Sequence, residues 1–168
     1  DMKFLLPTIN LIENKKYRVN RISLNYANSK YFGILYEYVD ENKQKTINSF
    51  VKKLKNDGKK VDLLPAIEKN NADNRYFKTF RINEIGFFGN WKNNNVKSFI
   101  YQPYDFLIYL DLKIIPEMEN ILIKSLSRCR IGFSYNKLKI LEMVLKTENE
   151  FDVDYRLNKL YHYLKKIK

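Results

Sequence analysis

QPYDFLIYLDLKIIPEMENILIKSLSRCRIGFSYN, residues 102–136, is the stretch that decides the fold. Phe106-Leu107-Ile108-Tyr109-Leu110 is an unbroken apolar run, the pattern of a strand that helices cover on both faces of a parallel sheet. Pro116 suits the first turn of a helix, where its missing N–H costs nothing. Glu117 and Glu119 stand where the positive end of the helix dipole favours acids. Met118, Ile121, Leu122 and Leu126 form the stripe that such a helix would bury, and Cys129-Arg130-Ile131-Gly132-Phe133 reads as the next strand. Strand, helix, strand is the βαβ unit of a parallel sheet.

Working outward, Tyr31-Phe32-Gly33-Ile34-Leu35-Tyr36 is an uncharged aromatic and aliphatic strand. Ile47, Phe50, Val51 and Leu54 fall at helical spacing and predict a helix over 46–57, with Gly58 at the C-terminal cap. A second strand follows at 61–65, where Pro65 belongs near the end because it has no N–H to give a ladder. Residues 68–74 are polar and loop-like, and 76–82 read as a short extended segment. Gly86-Phe87-Phe88-Gly89-Asn90-Trp91 is an aromatic loop between glycines, and 94–101 predict a short helix. Residues 138–145 fit a helix or an edge strand equally well. Behind Asp152, a good N-cap, Val153, Leu157, Leu160, Tyr161, Leu164 and Ile167 make the apolar face of a closing helix. Residues 1–30 hold six basic and two acidic groups and are expected to form a basic arm. Val19 and Arg21 could alternate in an edge strand, but the favoured reading is a helix lying on the domain with Val19, Ile22 and Tyr26 as its stripe. The expected architecture is therefore α/β: a single Rossmann-like domain over 31–168, with a mostly parallel sheet of four to five strands, helices on both faces and a basic N-terminal arm.

Thirty-one Lys and Arg against 19 Asp and Glu give a net charge of +12, a balance that favours an anionic partner such as RNA or a ribonucleoprotein. A codon bias toward A and T would also raise Lys, Asn and Ile, so charge alone does not separate function from drift. One cysteine, Cys129, excludes an internal disulfide and points to a reducing, cytoplasmic setting. The single histidine, His162, removes multi-histidine metal sites and a Ser-His-Asp triad from consideration. No window approaches a membrane span, no secretory leader is recognisable, and Met2, behind Asp1, reads as the native start.

In an open parallel sheet, ligands bind beyond the carboxyl ends of the strands, where the strand order reverses. The candidates there are Glu37, Asp40, Asp111, Ser134 and Asn136. Neither GxGxxG nor GxxxxGK[ST] follows the first strand, so a dinucleotide or P-loop site is not expected, nor is a cofactor. Asp111 would be the candidate base or metal ligand, though without an evident partner it reads as a loop residue. For a nucleic acid the candidates are Lys52, Lys53 and Lys55, Trp91 and Lys92 in the aromatic loop, Lys124, Arg128 and Arg130, and Arg156, Lys159, Lys165 and Lys166 at the last helix, which would bind a phosphate backbone if they converge on one face. Strand alternation would turn Cys129 inward with Ile131.

The order of FGILYEY, GFFGNWKN, YDFLIYLDL and SLSRCRIGFS before an amphipathic helix resembles a family of small proteins from Bacteroidota, especially flavobacteria, that carry a domain of unknown function. In that family a glycine-aromatic-lysine segment like residues 86–93 precedes an "fD-L-I" strand like 104–110, and an "S-AKFKVG" segment corresponds to 127–132. Arg128-Cys129-Arg130 departs from its Ala and Lys. The resemblance implies a cytoplasmic α/β domain and carries no catalytic residue. Charge and fold class together favour a basic α/β binding module with an anionic partner over an enzyme, without deciding between them. The alternatives are a nucleotide or sugar-nucleotide enzyme resembling half of a glycosyltransferase, and a protein–protein adaptor.

Overall fold

A computed structural model describes residues 2–17, 19–22, 25–68, 78–134, 138–148 and 152–167. Its centre is a five-stranded sheet of β1 (Tyr31–Glu37), β2 (Lys60–Ala66), β3 (Phe106–Tyr109), β4 (Cys129–Gly132) and β5 (Met143–Val144). Every pairing is parallel and the order is β2-β1-β3-β4-β5. The helices are α1 (Met2–Lys16), α2 (Glu41–Asn56), α3 (Asn94–Tyr101), α4 (Pro116–Lys124) and α5 (Val153–Lys166). This is the doubly wound α/β arrangement, and the order reverses between β1 and β3. Residues 138–145, open between helix and strand, supply β5 at one edge. Among the described residues no helix is long and apolar enough to cross a membrane.

Because side chains alternate along a strand, the sheet divides the core in two. Leu35, Leu64, Leu107 and Tyr109 face α1, α3 and α4. Phe32, Ile34, Tyr36, Phe106, Ile108, Cys129 and Ile131 face α2 and α5. Cys129 is fully buried, as alternation with Ile131 requires. Gly33 marks the tightest approach: a β-carbon there would come within 2.8 Å of the Tyr104 ring and 3.0 Å of Phe99 Cζ.

The helix boundaries follow their caps. Asp40 accepts from the Lys43 N–H, so α2 begins at Glu41, before the first residue of its apolar stripe. Gly58 takes a φ of 78°, the left-handed conformation expected beyond a helix end. α4 ends at Lys124 on a Ser125 cap, which leaves Leu126 outside the helix and partly exposed instead of in its buried stripe.

The N-terminal segment differs from the expected arm. Its helix is Met2–Lys16, whereas 17 and 19–22 have no regular structure and 26–28 form a turn, so Val19, Ile22 and Tyr26 are not a helical stripe. α1 docks on α4 through polar groups. The buried Asn10 donates to Pro116 O at 2.8 Å and accepts from Asn120 Nδ2 at 2.9 Å; Asn120 Oδ1 in turn accepts from the Trp91 indole at 3.0 Å. Beyond α1, Arg21 reaches the end of α4, donating to Ser127 O at 2.6 Å and Ser125 O at 3.1 Å. Glu142 joins it there, 3.6 Å from Arg21 and in a two-pronged pair with Arg130, at 2.6 Å to Nη2 and 3.0 Å to Nε. Arg130 Nη1 also donates to Leu122 O. Burial and Arg130 lower the Arg21 guanidinium to about 10, Glu142 opposing, so it stays charged at neutral pH.

Two guanidiniums thus share one carboxylate at the carbonyl end of a helix. Glu142→Gln should cost about 3 kcal/mol, the lower range for breaking a buried pair because Glu142 is partly exposed. A urea midpoint that hardly moves would show that the cluster contributes little. Gly33→Ala should cost about 1–3 kcal/mol through overpacking against Tyr104, checked by the same titration.

Candidate functional site

Where the strand order reverses, in the crevice between the ends of β1 and β3, the protein's own groups pair with one another. Glu37 also borders an open cleft of about 390 Å³ shared with Ala66, Ile67, Arg81 and Asn83. Asp111 Oδ2 accepts the Glu37 backbone N–H at 2.6 Å, and Asp111 Oδ1 pairs with Lys43 Nζ. Lys43 Nζ also donates to Glu37 O at 2.7 Å. Asp111 therefore bridges the ends of two adjacent strands and has its partner in the first turn of α2. Asp40 is the N-cap of that helix. Ser134 is half-buried beyond β4, and Asn136 lies outside the described residues. Arg156 is buried in α5 and packs over the Phe133 ring, its guanidinium lowered by burial and raised by Asp111 and Asp152. Sequence reasoning missed Lys43. The one available signal was a lysine three residues after an N-capping Asp, and the apolar stripe of α2 drew attention elsewhere.

The proposed nucleic-acid residues fall on different parts of the molecule. Lys52, Lys53 and Lys55 are exposed on α2, and Lys159 is half-exposed on α5, on the side of the sheet that these two helices share. Lys53 Nζ donates to Asn158 Oδ1 at 2.8 Å and stands 5.8 Å from the centre of the Tyr161 ring. Lys165 lies over the same ring at 4.4 Å, and Lys159 lies 6.0 Å from Tyr155. The α2–α5 seam is thus a lysine surface laid on tyrosines, with Lys45 and Lys166 exposed on its two helices and Tyr155 and Tyr163 open to solvent. Lys45 and the tyrosines were not among the sequence candidates for this surface.

The remaining candidates are elsewhere. Trp91 is buried, edge-on to Phe80 at 5.3 Å and donating to Asn120; Lys92 is exposed beside it. Phe87 and Phe88 are exposed to 53% and 72%, so the aromatic loop is split between a buried indole and two open rings. Arg128 is half-exposed and 3.6 Å from Asp105; Arg130 is buried in the Glu142 pair. No group of three or more His, Cys, Asp or Glu able to hold a metal occurs among the described residues.

Asp57 anchors the seam. It accepts from the Tyr26 and Tyr161 hydroxyls, each at 2.7 Å, and sits 3.4 Å from Lys165. The Tyr26 hydroxyl, then the Tyr161 hydroxyl, hold the Asp57 carboxyl below its ordinary value, with Lys165 adding to them. The stability this contributes is complete above the unfolded carboxyl value, about 3.9, and is lost as pH falls through the lower folded one. Asp57→Asn should therefore be less stable than the parent at neutral pH, with the gap closing in acid below about pH 3.9. Urea midpoints across that range check it, and a gap independent of pH would contradict the role of the charge.

The chain belongs to a family of unknown function, DUF6913, which matches it over residues 8–167. No curated protein and no solved structure matches it.

Proposed function

We propose that this member of DUF6913 is a binding module for a polyanion, RNA in particular, and that the α2–α5 seam is the surface that engages it. The observation that carries the reading is the meeting of Lys53 and Lys165, from different helices, over one tyrosine ring. A run of lysines on a single helix is ordinarily a solvated face. Ammonium groups from two helices held on a common aromatic base instead bring positive charge together across the seam, with Tyr155 and Tyr163 beside it as planes on which bases can stack. The net charge of +12 supplies the long-range attraction. The strand-end crevice supports an enzyme less well, because the Lys43–Asp111 pair already satisfies the groups that a nucleotide would have to recruit.

Fluorescence anisotropy with a labelled single-stranded oligoribonucleotide tests the reading. Binding should weaken steeply with salt. Exchanging Lys53, Lys159 and Lys165 for Ala should reduce the salt slope by about one for each phosphate that is no longer neutralised. Binding that is absent at low salt, or unaltered in the triple variant, would overturn the assignment.

A further inference from the structure

At the edge of the molecule where α1, α3 and α4 end, opposite the strand-end crevice, there is an open cleft of about 300 Å³. Tyr17, Trp91 and Tyr101 give it aromatic walls, and Lys97 and Lys124 line it with ammonium groups. Tyr101 is 68% exposed, a large ring standing in solvent at the mouth. Lys124 is the opposite, a lysine with only 7% of its surface exposed. Its Nζ donates to Gly89 O at 2.6 Å, and no second acceptor for it occurs among the described residues. Helix ends commonly use a lysine to satisfy their last carbonyls. Here Arg21 donates to Ile123, Ser125 and Ser127 O, so the end of α4 does not need Lys124. Lys16, lying over the Tyr17 ring at 5.8 Å, adds a third positive group, and Glu13 is the acid whose charge reaches Lys124. Burial, and repulsion from Lys16, lower the Lys124 ammonium below its ordinary value while Glu13 raises it.

We propose that this cleft binds a nucleoside monophosphate group, with its base against the Tyr17, Trp91 and Tyr101 walls and its phosphate between Lys97 and Lys124. The walls recognise a flat ring, and the excess of ammonium groups over carboxylates recognises the acid attached to it. About 300 Å³ is the lower end of small-ligand pockets, enough for one nucleotide. The same group is presented by a free mononucleotide and by the 5′ end of an RNA chain. The site is separate from the α2–α5 seam, and neither reading rests on the other.

Trp91 is the single tryptophan of the chain and lines the cleft, so its fluorescence reports occupancy directly. The full chain is titrated with AMP, GMP, CMP and UMP, and in separate arms with 5′-phosphorylated and 5′-hydroxyl oligoribonucleotides. Saturable quenching by a mononucleotide assigns the free ligand. Quenching by the 5′-phosphorylated oligonucleotide alone assigns the RNA terminus. Tyr101→Ala and Lys97→Ala, both at exposed positions and so compatible with folding, should each weaken binding at least about fivefold, as expected for removing a stacking plane or a phosphate partner. The Lys53, Lys159 and Lys165 variant should bind mononucleotide as the parent does, so failure here is distinct from failure at the seam. No quenching by any probe up to millimolar concentration, or quenching unaltered by both cleft substitutions, would overturn the proposal.

Discussion

The carboxylate of Glu142, held between Arg21 and Arg130, joins parts of the chain that the sheet alone does not hold together. Four pieces of chain meet there: the segment after α1, the end of α4, β4, and the approach to β5. Each guanidinium has a second task, donating to the terminal carbonyls of α4, so the charge of the pair is spread over a helix end as well as over Glu142. The arrangement is net positive and costly to bury, and it is sustained because the end of α4 and Glu142 supply acceptors to both guanidiniums. It also explains why Arg130, which the sequence offers to a partner, and Arg21 of the expected basic arm both serve the interior.

How much of this was legible beforehand follows from the range of the signals. The parallel sheet was readable because burial on both faces demands an uninterrupted apolar run, as at Phe106–Tyr109, and because Pro116 and Asp152 mark helix starts locally. The short helix Asn94–Tyr101 was likewise a local matter. What escaped depends on pairings distant in sequence. The helical part of the N-terminal segment is fixed by Asn10 meeting Asn120, across 110 positions, so the later residues 19–26 competed for the assignment with only periodicity in their favour. Lys43 meets Asp111 over 68 positions, and Trp91 finds its partner in Asn120, so one polar residue inside α4 decides the fate of an indole that the sequence offered to a nucleic acid. At the candidate surface, α2's lysines were visible but their meeting with Lys165 over Tyr161 was not, since only the packing of α2 on α5 creates it.

Charge is consequently distributed by role across the fold. Lys59 and Lys43 are spent inside, Lys59 on the carbonyls of Tyr26 and Ser29 that lead into β1, Lys43 at the strand ends. Arg128 pairs with Asp105, whose carboxylate in turn receives the N–H groups of Lys30 and Tyr31. Of the lysines left at the surface, one group lies on the α2–α5 seam and another borders the cleft where α1, α3 and α4 end, while Lys30, Lys60, Lys78, Lys113, Lys139 and Lys146 are exposed elsewhere. A chain of this net charge thus uses its arginines chiefly for architecture, where their fixed fork of donors suits carbonyls and carboxylates.

The shape of the two outermost strands bears on self-association. A parallel sheet that stopped with a long bare strand would present a row of unpaired amides to a second copy of itself. β5 is only two residues long, which leaves little backbone to recruit. β2 is longer, but Pro65 removes a donor near its end, and Phe80 covers that end by donating to Pro65 O and accepting from the Ile67 N–H. A residue that reads first as a strand terminator is in this position a guard against fibrous stacking.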